Sequence, residues 1–191
     1  MWAFLATEVL FFGGLILDYA VYRFAYPADF SEAARHTRII IGAGNTALLL
    51  TSSFLVAWAV MAARAGESRV AAILLRAAAL LGMFFLMLKL VEYTLEYDEH
   101  LVPGFGFRFA GEHARGAELF FIFYFIATGL HAIHVLIGIA ALLVIARQAS
   151  RGAYSDRYHG PITLAGLYWH FVDMVWIFLF ALIYLPGRSG A

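Results

Sequence analysis

The sequence predicts an all-α integral membrane protein, a bundle of five transmembrane helices. Three observations carry this expectation. Of the 191 residues, 63% are apolar and 14% charged, with a mean hydropathy of +0.82, far outside the range of a soluble domain. Five apolar blocks each reach the roughly 20 residues needed to cross about 30 Å of hydrocarbon at 1.5 Å per residue. No segment shows the ten-residue apolar–polar alternation of a membrane strand, and a lone strand in lipid would leave its backbone unpaired.

The first block, Trp2 to Tyr22, carries Glu8 and the small pair Gly13-Gly14. Pro27 and Asp29 punctuate the connection to the second block, Ile39 to Ala62, which holds Asn45, Thr46, Thr51, Ser52 and Ser53. Gly66 marks the turn into the third, Val70 to Tyr93, which ends in Lys89 and Glu92. The fourth, Leu119 to Ala146, follows Glu118 and contains His131 and His134; the fifth, Ile162 to Leu185, follows Gly160-Pro161 and contains His170 and Asp173. Gly13-Gly14, Gly42, Gly44, Gly129 and Gly138 read as gaps where helix backbones approach. The blocks are expected to form one transmembrane domain over residues 1–191. The longest connection, Tyr97 to Gly116, contains Asp98, Glu99, His100, Glu112 and His113 and reads as a solvated loop or as a docking surface.

Thirteen basic and thirteen acidic side chains cancel, and the arginines are scattered rather than gathered into a stripe that tracks phosphates, so nucleic acid is excluded as a partner. The absence of Cys rules out disulfides, thiolate metal sites and cysteine nucleophiles. No cleavable leader is expected, because Met1-Trp2 enters apolar sequence without a basic lead and Glu8 interrupts it. Five crossings put the termini on opposite faces. Arg64, Arg69, Arg76, Arg147, Arg151 and Arg157 fall on one, and Arg23, Arg35, Arg38, Arg108, Arg115 and Arg188 on the other. The arginines tie; the fewer acids on the first face lean toward a cytoplasmic N-terminus.

An Asp or Lys at mid-membrane costs roughly 2.5 to 3.5 kcal/mol on insertion scales, so each such group needs a partner. Helix rise places Glu8 about 10 Å, His170 about 13 Å, and His134 and Asp173 about 18 Å below the N-terminal face. His131 and His134 share one helix face, as do His170 and Asp173, so one hydrogen-bonded cluster of Glu8, His131, His134, His170 and Asp173 is the economical arrangement. A second group, Lys89, Glu92 and Glu118, lies toward the opposite face, where Lys89, the only lysine, would pair with Glu92 or Glu118. His131 or His134 facing His170 also offers a haem-iron pair, against the alternative that all three are satisfied within the bundle. A di-iron pair of Glu-x-x-His motifs, a His-Glu-x-x-His zinc motif, a phosphate-cradling loop and a nucleophile elbow are all absent from the sequence. No catalytic residue is assigned.

Met1 to Tyr19 (MWAFLATEVLFFGGLILDY), Asn45 to Phe54 (NTALLLTSSF), Lys89 to Tyr93 (KLVEY), Glu118 to Gly138 (ELFFIFYFIATGLHAIHVLIG) and Tyr168 to Leu185 (YWHFVDMVWIFLFALIYL) closely resemble, in order, successive helices of subunit III of haem-copper respiratory oxidases. The resemblance implies a non-catalytic core subunit of a proton-pumping terminal oxidase, cytochrome c oxidase first, in aerobic respiratory electron transport. It implies no redox cofactor or metal on this chain, with haem and copper on partner subunits, and so reverses the haem option. It further implies direct packing on subunit I, with subunit II and small subunits nearby, and bound phospholipid. Glu8 matches the family's buried glutamate linked to proton handling, and His131, His134, His170 and Asp173 match positions that organise the bundle. The setting implied is a prokaryotic cytoplasmic (inner) membrane, with the N-terminus cytoplasmic and the C-terminus outside. A quinol oxidase subunit III, the related accessory protein of nitric oxide reductase, and more remotely a self-sufficient haem cytochrome are the alternatives. Longer relatives have seven helices and this chain begins where their third would. Their V-shaped lipid cleft is therefore expected to be completed by two helices of subunit I, or filled by lipid or another small subunit.

Overall fold

The computed structural model describes residues 2–104, 106–109, 114–154 and 158–188, without the side chains of 2 and 4. Glu112, His113, Asp156 and Arg157 lie outside the described residues. Six helices form, and no strand occurs among the described residues: α1 (Trp2–Ala25), α2 (Pro27–His36), α3 (Ile39–Arg64), α4 (Ser68–Asp98), α5 (Ala114–Ser150) and α6 (Gly160–Tyr184). Five of them, all but α2, are long and apolar enough to cross a membrane. At 1.5 Å per residue, the 37 residues of α5 extend about 55 Å, so this helix projects beyond the hydrocarbon.

The helices α3, α4, α5 and α6 make a closed ring in which each packs on two neighbours, α3 on α4 and α6, α5 on α4 and α6. Small residues let the ring close around aromatics. Trp169 of α6 lies in a slot between Gly82 of α4 and Gly138 of α5; a Cβ on either glycine would sit 2.8 Å from the indole. Its Nε1 donates to Ser52 Oγ of α3 at 2.9 Å, so one side chain ties all four helices. Gly42 accommodates the Tyr184 ring in the same way. By contrast, a Cβ on Gly13, Gly14 or Gly44 would meet nothing within 4 Å, and Gly129 faces only the Tyr93 hydroxyl at 3.9 Å. Of the glycines read as packing gaps, Gly42 and Gly138 therefore serve close approach inside the chain, while Gly13-Gly14 lie open on α1.

The outer helix α1 touches the ring along one stripe: Glu8, Phe12, Leu15 and Tyr19, spaced four, three and four residues apart. Phe12 packs edge-on against His134, and Tyr19 packs on Phe30 and Phe123 and donates to the Leu182 carbonyl at 2.5 Å. Much of the remaining surface of α1, including Leu10, Leu17 and Phe24, is exposed, which is the expected state of an apolar surface facing acyl chains or another polypeptide.

Sequence periodicity assigned residues 23–38 to a loop; the structure makes α2 there. Proline fixes the first helical turn, and Phe30, Ala33 and Ala34, spaced three and one apart, bury its apolar face against α5, with further contacts to α1 and α6. Ten residues are too few to span a bilayer, so α2 lies across one end of the bundle. The C-terminal segment clamps it. The Arg188 guanidinium donates to the carbonyls of Thr37, Arg35 (2.8 Å) and Tyr184 (2.6 Å), and Arg35 Nε donates to the Gly187 carbonyl at 2.9 Å. Gly187 has φ +75°, and a Cβ there would fall 2.3 Å from the Ser31 carbonyl oxygen, so no other residue fits this turn.

Candidate functional site

Two polar assemblies are built into the apolar bundle. The first joins α1 to α5. His134 Nδ1 lies 2.8 Å from the Leu130 carbonyl one turn earlier, and Nε2 lies 3.0 Å from Glu8 Oε2. A carbonyl can only accept, so Nδ1 carries a proton. The Nε2–Oε2 contact then holds one more, written either as neutral imidazole with a carboxylic acid or as imidazolium with carboxylate. In both forms the pair is net neutral, which is what lets a carboxyl group persist at this depth. Side-chain exposures of 17% for Glu8 and 15% for His134 mean the pair is reachable from the flank of the bundle but not open to it. Tyr168 Oη donates to the His134 carbonyl at 3.1 Å and fixes this stretch of α5 to α6.

The remaining members of the expected five-residue cluster do not join this pair. His131 is fully buried between the Phe85 and Trp176 rings, at centroid distances of 5.6 and 5.1 Å, and neither ring nitrogen has a hydrogen-bond partner among the described residues. His170 turns toward α3, where its Nδ1 lies 2.6 Å from Ser53 Oγ. Asp173 is buried; its carboxylate makes no hydrogen bond of full geometry among the described residues, but the Ser53 hydroxyl that meets His170 also acts on it. The single cluster is thus replaced by one pair and separate histidine environments. His131 and His134 are about 60° apart around α5, and at the edge of the α1 seam that turn is enough to put His131 inside the ring and His134 against Glu8. The three histidines thus address different neighbours, Phe85 and Trp176, Glu8, and Ser53. Among the described residues no three His, Asp or Glu side chains converge on a metal position.

The second assembly lies inside the ring. Lys89 Nζ is buried and donates to Glu92 Oε2 (3.0 Å), Tyr124 Oη (3.0 Å) and Tyr184 Oη (3.1 Å). Tyr184 Oη in turn donates to Glu92 Oε1 at 2.6 Å. Three partners use all three ammonium protons, and the rings of Tyr93, Tyr124, Trp176 and Tyr184 surround the cation at 4.6 to 5.8 Å, adding cation–π attraction. Glu118 takes no part in this ion pair; it is partly exposed near the start of α5, off the buried stripe of Ala117, Phe121, Tyr124 and Thr128. Its place is taken by Glu96, buried one turn beyond Glu92 and within the field of the Lys89 charge.

Glu96, Tyr124 and Tyr184 were not singled out from sequence, and Ser53 was named only among the small and hydroxylated residues of the second block. Lys89, Glu92 and Glu96 have the three- and four-residue spacing of one helix face, and extending the third apolar block past Tyr93 would have found the acid. The two tyrosines read as apolar bulk; only the fold shows their hydroxyls meeting a lysine.

Residues 1–188 match the model of the family described as cytochrome c oxidase subunit III. Over 186 residues the chain is 31% identical to a protein named cytochrome c oxidase subunit 3 from Thermostichus vulcanus, covering 97% of this chain and 85% of that one. The protein of the same name from Synechocystis sp. is 32% identical over 183 residues, 95% of this chain and 72% of the other. The one from Gadus morhua is 36% identical over 143 residues, 75% of this chain and 49% of the relative. These names do not favour the quinol oxidase or nitric oxide reductase alternatives. Five spans, apolar outer faces and a match over residues 1–188 agree on one conclusion: the chain belongs to the cytochrome c oxidase subunit III family, a non-catalytic subunit of the respiratory oxidase.

Proposed function

We propose that this chain packs directly on subunit I of a cytochrome c oxidase in a prokaryotic cytoplasmic membrane, with subunit II and small subunits in the same complex, and sustains the proton supply of that subunit. The observation that carries the proposal is the Glu8–His134 pair. It is a net-neutral, proton-sharing couple, partly open at the flank of the bundle, on a helix that packs on the ring along a single stripe. Such a couple can accept a proton from one side and release it to the other without placing a bare charge in hydrocarbon. The N-terminus is assigned to the cytoplasmic face and the C-terminus to the outside. Phospholipid occupies the largely apolar grooves beside α1, one of which is lined by Leu15, Tyr19, Phe30, Leu119 and Phe123 with Asp18 and Tyr22 at its polar part. Haem and copper belong to the partner subunits.

The test is affinity purification through this chain in mild detergent, followed by mass spectrometry, lipid analysis and an optical spectrum. A haem-bearing partner that leaves, with the whole Soret band, when the chains are separated is the expected result. A Soret band retained on this chain alone, or purification without an oxidase subunit, overturns the proposal.

A further inference from the structure

An arginine stands inside one of the apolar spans. Arg76 lies about 9 Å past Val70 along α4, exposed on an outer stripe with Ile73 and Leu80, and it makes no hydrogen bond or ion pair among the described residues. An arginine at this depth turns its guanidinium toward the nearest water–lipid boundary and needs an anion there. Arg69, two turns earlier, lies on the same stripe, because seven residues rotate a helix by about 700°. It too is exposed and makes no such bond among the described residues. Beside Arg69 a cavity of about 680 Å³ opens between the start of α4 and the end of α5, where Glu67, Val70, Ala149, Arg151 and Tyr154 also line it. Its walls are fixed: Ser68 Oγ donates to the Tyr154 carbonyl at 2.7 Å, and the turns that end α3 and α5 close through Glu67 N–H to the Ala62 carbonyl (2.9 Å) and Ala153 N–H to the Gln148 carbonyl (3.2 Å). Three arginines against Glu67 leave two positive charges in excess at this end of the α4–α5 seam. Farther along the same seam, an apolar groove of about 240 Å³ is lined by Leu86 and Leu90 of α4 and Ile133 and Leu136 of α5, together with Lys89 and Tyr93. Leu86 is about 15 Å from Arg76 by helix rise, the depth of about half the hydrocarbon.

We propose that the α4–α5 seam binds an anionic phospholipid, its phosphate held by Arg69, Arg76 and Arg151 and one acyl chain lying along the seam to the groove at Leu86. The occupant is a lipid rather than free phosphate because Arg76 lies within the apolar span, where only an amphiphile brings a negative group to the hydrocarbon boundary. A zwitterionic head would add its own ammonium to an already positive site, so a head of net negative charge is selected. The seam is separate from the grooves beside α1, because α1 does not pack on α4. The site needs only the spans, so it stands or falls apart from the role of Glu8.

The test is photolabelling of the chain in its native membrane complex, with phosphatidylglycerol or phosphatidylcholine carrying the same photoreactive acyl chain. Mass spectrometry reads the label on α4 between Ile73 and Leu90. Phosphatidylglycerol should label this segment on the order of tenfold more than phosphatidylcholine, since each arginine near a headgroup is worth about fivefold in affinity. Arg69→Gln and Arg76→Gln should each lower that ratio about fivefold. Arg64→Gln, on the same face but outside the cavity lining, should leave it unchanged, and so should an excess of inorganic phosphate. Equal losses in Arg64→Gln and Arg76→Gln would mean diffuse attraction to a basic face and overturn the site. Equal labelling by the two lipids overturns the charge selection, and displacement by inorganic phosphate overturns lipid as the occupant.

Discussion

Replacing Lys89 by Met keeps the length of the side chain and removes the ammonium. The bonds lost are those to Glu92, Tyr124 and Tyr184, and Glu92, fully buried, keeps only the hydrogen bond from Tyr184. Removing one partner of a buried ion pair leaves an uncompensated charge and typically costs about 3 to 5 kcal/mol. Glu92→Gln should cost less, because the amide oxygen can still accept from Lys89 and from Tyr184, and the phenols remain bonded to the ammonium. The double variant, with both charges gone and the tyrosines retained, should cost only about 1 to 2 kcal/mol, since neutral replacement of a buried pair is often well tolerated. Denaturant unfolding of the purified complex, monitored through this chain, gives the coupling energy of the double-mutant cycle. Single costs that add to within about 0.5 kcal/mol of the double would show no coupling and refute the reading of Lys89 and Glu92 as mutually compensating.

Other consequences follow from packing. Gly138→Ala drives a methyl into the Trp169 indole and should cost about 1 to 3 kcal/mol by overpacking; Gly14→Ala, with open space around it, should leave the chain's own stability unchanged or raised by up to about 1 kcal/mol, and thermal melts of both variants compare them directly. Gly187→Ala forces a left-handed residue against the Ser31 carbonyl, so hydrogen exchange should rise selectively in α2 while the ring stays protected. Asp173→Asn should cost less than about 1 kcal/mol, because the amide keeps an acceptor toward the Ser53 hydroxyl; a loss above about 2 kcal/mol, measured by unfolding, would contradict this.

The spans were legible in the sequence because lipid imposes a length and an apolar composition on every crossing. Their ends were less so: α4 and α5 run past the hydrocarbon into segments such as Leu95–Asp98 and Ala114–Glu118, where polar residues no longer distinguish helix from loop. The amphipathic α2 carried its signal in Pro27 and in the spacing of Phe30, Ala33 and Ala34, but ten residues at an interface resemble a polar connection. At the polar sites, composition announced that Glu8, Lys89, Asp173 and the histidines needed partners without saying which. Depth along the membrane is readable from residue number; rotation about each helix axis relative to its neighbours is not, because ring packing sets it. That rotation sends His134 to Glu8, His170 to Ser53 and His131 between two aromatic rings.

The most direct test is the Glu8→Gln oxidase, purified with its full complement of subunits and assayed for turnover and proton uptake in vesicles. Glutamine preserves the shape and a hydrogen bond to His134 but cannot give up the shared proton. The account predicts normal subunit content with clearly slowed proton uptake and turnover. Wild-type uptake in the intact complex, or loss of the chain from the complex, would contradict it.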